Sequence, residues 1–407
     1  MLQKKIAFII SKRMYIKFFS NLILHFEKKK YDIYLLFDYT QSREKGKWRE
    51  FPHLEVYHSY SQNIKKIIFN NFSDLENLIN INAIEIVISL VNPSFYNLEK
   101  KNISRTKWVI LQNGFDIFYH SKTINNSDFI FMYSEFFKEK LDYFCKKDKI
   151  KLKKENVHVV GNPQFDNINF NKNKLITKFN LTSKKILTFL PWGAGNLYRY
   201  ENQIKNFIGK YVFCLPYNDG KFYYFRKLFF KLCSKFVFNE IEIIKKISKY
   251  CKENNYHFLI KSRSKKIIDS EYQKYCDLIL YDDEIIDSTI KQVLYMSDYV
   301  ISAASTAVGE SVFFNCKTIN IFNNIFKYDD DILIESSSNN YFDNDGSCKK
   351  IDIKELKNKN LDILFNFEFS ENSCLEYSEH FYDYHRKQNT CEKIEKILFN
   401  KTLNSNV

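Results

Sequence analysis

Short apolar runs alternate with amphipathic stretches along most of this chain, and that alternation narrows its choice of fold more than any other feature. The runs Ile6–Ile10, Ile33–Phe37, Leu54–His58, Ile84–Leu90, Trp108–Gln112, Phe129–Tyr133 and Val157–Val160 have the length of strands. Between several of them lie Met14–Lys29, Ile64–Ile79 and Glu135–Cys145, whose apolar residues recur at the three- and four-residue spacing of helices. Strands that are apolar throughout, with helices between them, imply a parallel sheet covered on both faces.

The pattern breaks after Gly161-Asn162-Pro163 into a polar segment, Asp166 to Lys185, and restarts with Ile186–Leu190. A helix over Asn239–Asn254, strands at His257–Lys261 and Leu278–Tyr281, a helix over Ser288–Met296 and a strand–turn–helix–strand unit from Asp298 to Phe322 follow. For 407 residues this spacing predicts two α/β domains, over 1–168 and 169–376. A last helical stretch, Tyr377–Leu398 within 377–407, is expected to pack back across the halves. Ser336 to Lys349 reads as a polar loop and Asn400 to Val407 as a frayed tail.

The formal charge is +14, from 62 Lys and Arg against 48 Asp and Glu, which suits nucleic acid, anionic lipid or anionic substrates. Abundant Lys, Asn, Ile, Tyr and Phe beside scarce Gly, Pro and Trp also fit an AT-rich coding sequence. No Lys/Arg block with interleaved stacking aromatics is present, so no nucleic-acid partner is expected. Nine scattered cysteines without a Cys-x-x-Cys pair argue against a zinc site or a disulfide framework and for reduced cytosolic thiols. Lys4 and Lys5 precede only five apolar residues, and nowhere do about 18 uncharged apolar residues follow one another, so a cytoplasmic protein is expected.

The stretch from Asp298 to Phe322 carries the chemistry most legibly. An apolar run ends at small hydroxylated residues, and a helix opens at Ser305 or Thr306. Ser302, Ser305 and Thr306 would then stand with free backbone N–H groups at a helix N-terminus, where phosphate is the natural guest. The plainer reading of Ser305 or Thr306 is an N-cap.

Four segments then occur in order: Val109–Asp116 with Asn113-Gly114, Asp128–Ser134 with Glu135 opening a helix, Val159–Asp166, and Asp298–Phe322. Together they resemble the GT-B glycosyltransferase superfamily, above all its CDP-glycerol glycerophosphotransferase-like and UDP-N-acetylglucosamine 2-epimerase-like groups of bacterial envelope synthesis. The likeness spans roughly residues 105–325. It implies a GT-B-like α/β fold of two Rossmann-like, doubly wound parallel-sheet domains facing a cleft, with a C-terminal helix crossing back. It also implies an activated donor in the second half, a nucleotide-sugar or a CDP- or CMP-linked polyol, and a glycan or lipid-linked acceptor in the first.

On that resemblance Glu310 would accept from ribose hydroxyls, although a Glu in a first helical turn also suits the helix dipole. Lys261 and Arg263 follow a strand end and would stabilise a leaving phosphate, or else belong to a solvated basic loop. Gly193, in the Trp192–Asn196 loop after the first strand of the second half, permits close approach of a ligand or simply the turn. Two departures stand out. Asn113, beside Gly114 on the acceptor side, replaces the usual His, and Lys261-Ser262-Arg263 replaces a Lys-Pro-His-Pro type of element. The general base is therefore sought at Asp116 or His120.

Hydroxyls and amides hold a diphosphate without a metal, so no metal or other cofactor is expected. Asp343-Asn344-Asp345 has Asp-x-Asp spacing, but no apolar strand leads into it. The basic and aromatic segment Lys221–Phe236 suits either peripheral attachment to an anionic inner membrane or an amphipathic helix against the core. The expected function is a metal-independent transfer of a sugar or polyol phosphate to a bacterial surface glycan such as lipopolysaccharide or capsule. The rivals are a nucleotide-sugar 2-epimerase and a non-catalytic GT-B-like binding protein.

Overall fold

A computed structural model describes residues 4–12, 15–40, 63–114, 116–191, 240–262, 270–281, 288–303, 305–322, 340–384 and 389–400. The chain divides into two units. One comprises Met1–Asn169, Asp283–Ser288 and Leu375–Val407, and the other Phe170–Asp282 and Thr289–Cys374.

The first unit is built on seven strands: β1 (Lys5–Ile10), β2 (Asp32–Asp38), β3 (Lys65–Phe69), β4 (Ile86–Ser89), β5 (Lys107–Leu111), β6 (Phe129–Met132) and β7 (Val157–Val159). They form one parallel sheet in the order β3-β2-β1-β4-β5-β6-β7. Helices α1 (Ile16–Lys28), α2 (Phe72–Ile81) and α3 (Glu135–Lys147) lie between strands. Phe8, Ile10, Leu35, Phe37, Ile88 and Leu111 bury one face of the sheet against Phe19, Leu22, Ile23 and Phe26 of α1. The stretch Ile64–Ile79, expected as one helix, is instead β3 followed by α2. Asn70 and Asn71 interrupt it, and the Asn71 side chain accepts from the Asp74 N–H at 2.8 Å, capping α2. The expected strand Leu54–His58 lies outside the described residues.

The second unit repeats the plan with β8 (Ile186–Leu190), β9 (His257–Lys261), β10 (Leu278–Leu280), β11 (Tyr299–Ala303), β12 (Lys317–Phe322) and β13 (Cys348–Asp352). This sheet is also parallel, in the order β10-β9-β8-β11-β12-β13. Its helices are α4 (Lys172–Lys178), α5 (Glu240–Glu253), α6 (Thr289–Met296), α7 (Ala307–Phe313), α8 (Ile353–Asn358) and α9 (Leu361–Phe365). One face packs Phe189, Ile260, Ile301 and Ile319 against Ile243, Ile244 and Ile247 of α5. The other packs Ile186 and Leu259 against Val293 and Met296 of α6. The expected loop Ser336–Lys349 overlaps β13, whose residues Cys348–Asp352 pair with Thr318–Phe322. Two lysines hide this edge strand in the sequence, which suits an edge.

Helices α10 (Glu371–Tyr382) and α11 (Thr390–Asn400) end the described chain, and from Leu375 onward it belongs again to the first unit. The expected single helix Tyr377–Leu398 is therefore two helices, with Asp383 between them at φ 48°. Helix α11 places Cys391, Ile394 and Leu398 in the first unit's core. Each buried leucine or isoleucine contributes about 1.5–3 kcal/mol, so the return of the chain is worth several kcal/mol.

Gly161 turns the chain into that contact at φ 93°. A Cβ there would stand 2.8 Å from Thr390 Oγ1 and 3.3 Å from the Tyr382 carbonyl oxygen. Gly161→Ala is expected to cost more than about 1 kcal/mol, read as a lower midpoint in urea with an unchanged slope. An unchanged midpoint would contradict this packing.

Candidate functional site

In the second unit Lys261, Ser302, Ser305, Thr306 and Glu310 lie at the carboxyl end of the sheet. Side chains of a strand alternate between faces, so Ile301 enters the α5 core while Ser302 turns to the other face. Ser302 is fully buried, and its hydroxyl has no hydrogen-bond partner. It pairs in register with Leu190 of β8 and Asn320 of β12. Lys261 lies one step beyond the Phe189–Ile260 pair and so shares this row and face. Two strand spacings separate it from Ser302, about 10 Å along the sheet. Lys261 is 4 % exposed, and its ammonium donates to the Ser262 carbonyl oxygen at 2.6 Å.

Beyond β11 the chain turns at Ser305 and Thr306 into α7. Thr306 occupies the cap position but makes no side-chain cap bond, and it is exposed. Buried Ser305 is the residue that caps: its Oγ accepts from Ala307 N–H at 3.3 Å, and its carbonyl accepts from Val308 N–H at 3.0 Å. Gly309 N–H donates to the Thr306 carbonyl at 3.2 Å, and Tyr341 OH fixes that same carbonyl at 2.8 Å. The first amides of α7 are thus engaged, so an anion here would rely on hydroxyls and the buried cation more than on these N–H groups. Glu310 sits in the first turn of α7, 6 % exposed.

Asn320 was not singled out in the sequence. It is fully buried in β12, in the Ser302 row, and its only sequence mark is a polar residue at every second place after Thr318. Gly193 and Arg263 lie outside the described residues, as does Lys221–Phe236.

In the first unit Gln112 follows β5, accepting from Tyr133 N–H at 2.8 Å and donating to the Gly114 carbonyl at 3.0 Å. These bonds shape the turn that carries Asn113 and Gly114, where Gly114 takes φ 52°. Asp116 opens the 3₁₀ run Asp116–Asn126. His120 is half-buried in that run, its ring edge-on to Phe95 at 6.4 Å between centroids. Asp166, the last residue of the Gly161-Asn162-Pro163 element, serves the fold, because its two carboxylate oxygens accept from Thr390 N–H at 3.1 Å and Cys391 N–H at 2.6 Å. That seats the first turn of α11.

His25 and His257 hold structural bonds, to Glu395 at 2.7 Å and to the Thr182 hydroxyl at 2.7 Å. Among the described residues no three His, Cys, Asp or Glu side chains converge as a metal site. Asp343 accepts from Lys350 N–H at 2.9 Å in the turn before β13.

No family model matches the sequence, and no curated protein matches it. Solved structures do match. The chain is similar to the wall teichoic acid polymerase TagF soaked with CDPG, with a TM-score of 0.57 at 12% identity over 98% of this chain and 88% of that one. It is similar to the UDP-GlcNAc 2-epimerase of Neisseria meningitidis bound to UDP-GlcNAc, at 0.54 and 11% over 97% and 100%. It is also similar to a glycosyltransferase of Rickettsia africae, at 0.51 and 12% over 100% of both chains. Identities this low bear on the fold alone. With two all-parallel α/β units and a C-terminal segment returning to the first, the chain has the GT-B fold.

Proposed function

We propose that the chain is a metal-independent GT-B transferase, which moves a sugar or a polyol phosphate from a nucleotide-activated donor to a bacterial surface-glycan acceptor. The donor is held in the second unit and the acceptor in the first. The observation that carries this reading is the buried, unpartnered Ser302 hydroxyl at the end of β11, in one row with Asn320 and the buried Lys261 cation. A buried hydroxyl without a partner is uncommon and calls for a ligand atom or a water. Support also comes from neighbours of this fold that hold CDPG and UDP-GlcNAc.

In the proposed reaction an acceptor hydroxyl attacks the donor's anomeric carbon or its phosphorus, and the bond to the leaving nucleotide breaks. Lys261 neutralises charge growing on the departing phosphate, aided by hydroxyls at the β11–α7 turn. Glu310 accepts from the ribose. A base of the first unit, Asp116 or His120, takes the acceptor's proton. A lipid-linked acceptor would be met at an anionic membrane by Lys221–Phe236; among the described residues no helix is long and apolar enough to cross a membrane.

A thermal-shift panel of nucleoside mono- and diphosphates tests the donor half. A true donor base at about 100 times its dissociation constant adds about 2.7 kcal/mol of stability. The same shift is expected with excess EDTA, and its loss on chelation would overturn metal independence. Incubation with UDP-GlcNAc and no acceptor separates the rival epimerase, since an altered sugar or free UDP formed from donor alone would favour it over the transferase.

A further inference from the structure

The first unit carries a polar site that the candidate residues do not include. β2 ends at Asp38 and β4 at Ser89, on either side of β1, whose chain continues into Ser11. The order β2-β1-β4 makes this the place where the chain's path across the sheet reverses, and open parallel sheets bind ligands beyond their carboxyl ends at such points. Phe37 and Ile88 enter the α1 core, so alternation turns Asp38 and Ser89 to the opposite face. Asp38 pairs in register with Phe69, and Tyr96 lies over that face, its ring 6.1 Å from Phe69 and 6.1 Å from Trp108.

Asp38 and Tyr96 are both fully buried. One carboxylate oxygen, Asp38 Oδ1, is fixed by the Thr40 N–H at 2.9 Å and the Thr40 hydroxyl at 2.5 Å. The other, Oδ2, has no hydrogen-bond partner, and neither has the Tyr96 hydroxyl. Burial first, and the Asp38 charge second, push the Tyr96 phenol well above its ordinary value, which places the two groups within each other's field. The hydroxyls of Ser11 and Ser89 stand beside the phenol oxygen and work against that rise.

The open groups are one acceptor and one donor. A single hydroxyl fits both, donating to Asp38 Oδ2 and accepting from Tyr96. An ammonium group cannot accept from the phenol, and a phosphate would meet the carboxylate. We infer that the carboxyl ends of β1, β2 and β4 form a hydroxyl-binding subsite for the acceptor sugar or polyol, in which Asp38 Oδ2 receives the ligand's hydrogen bond and Tyr96 returns one. This assignment rests on reading the first unit as the acceptor half. Thr40 orients the carboxylate, and Ser11, half-buried, forms the rim.

The test is saturation-transfer NMR on the full chain, with glycerol, ribitol and methyl glycosides as probes. At least one probe is expected to receive saturation from the wild-type protein, and at least fivefold less from Asp38→Asn and from Tyr96→Phe. Both substitutions nearly keep size, and both are expected to melt within a few degrees of the wild type. Ser11→Val is read alongside, at the rim, so that the comparison survives if a buried substitution fails to fold. No transfer to any probe, or equal transfer in wild type and variants, would mean an internal water site and overturn the assignment. A nucleotide-induced thermal shift is measured on the same samples. Its absence from the wild type counts against the transferase, whereas its presence without transfer to the hydroxyl probes counts against this subsite alone.

Discussion

Asp166→Ala is expected to destabilise the first unit by about 3 kcal/mol, because two backbone N–H groups of α11 lose their acceptor and a buried helix end is left uncapped. For a unit of roughly 200 residues that corresponds to a melting temperature lower by roughly 6–12 °C. The loss reaches beyond one cap. Asn21 donates to the carbonyls of Pro163, Gln164 and Asp166 at 2.9, 3.2 and 2.6 Å, so this corner also ties α1 to the turn. His25 and Tyr31 both bond Glu395 on α11, at 2.7 and 2.9 Å.

The same residue sets a pH dependence. Burial raises the Asp166 carboxyl above its ordinary 3.8, against the bonds from Cys391 and Thr390. A carboxyl raised in the folded state holds its proton more tightly there than in the unfolded chain. The part of the stability linked to that proton is therefore complete below about 3.8 and is lost as pH rises through the raised value, while the cap bonds to the ionised carboxylate remain. Asp166→Asn keeps one acceptor oxygen without the charge and is expected to flatten that fall in a series of melts across pH. A fall unchanged in the Asn variant would assign it to other groups.

Lys261→Met is expected to reduce turnover by about 10²–10³-fold, the usual cost of removing a group that stabilises transition-state charge. Stability is expected to change little. Met has similar bulk, and a buried ammonium carries a desolvation cost that its removal relieves, offsetting the lost bond to Ser262. A structural lysine would give the reverse pattern, a lower melting temperature with turnover intact.

Most strands were legible because they are nearly continuous apolar runs, and so was the parallel arrangement, because helical stretches separate them. Ile64–Ile79 misleads since Ile64, Ile67, Ile68, Phe72, Leu75 and Ile79 keep near-helical spacing across the break at Asn70-Asn71, where the cap decides the outcome. β13 escaped because an edge strand with Lys349 and Lys350 lacks an apolar run.

Of the site, the β11–α7 hydroxyls were visible as a cluster adjacent in sequence. Asn320 and Asp38 were not, since each matters only through residues brought beside it by strand register: Ser302 for the one, Phe69 and Tyr96 for the other. Asp166 was visible as part of a turn element. Its partners lie more than 220 residues away, at Thr390 and Cys391, so its role as a helix cap could not be read locally.

The central claim, that the second unit holds a nucleotide's phosphates at the end of β11, is tested most directly by titration calorimetry on wild type and Ser302→Val side by side. The ligand is the nucleoside diphosphate that stabilises the wild-type chain best. Saturable binding by the wild type, at least tenfold weaker in a variant of unchanged melting temperature, is the expected result. Equal affinity in both proteins, or no binding by the wild type, would contradict it.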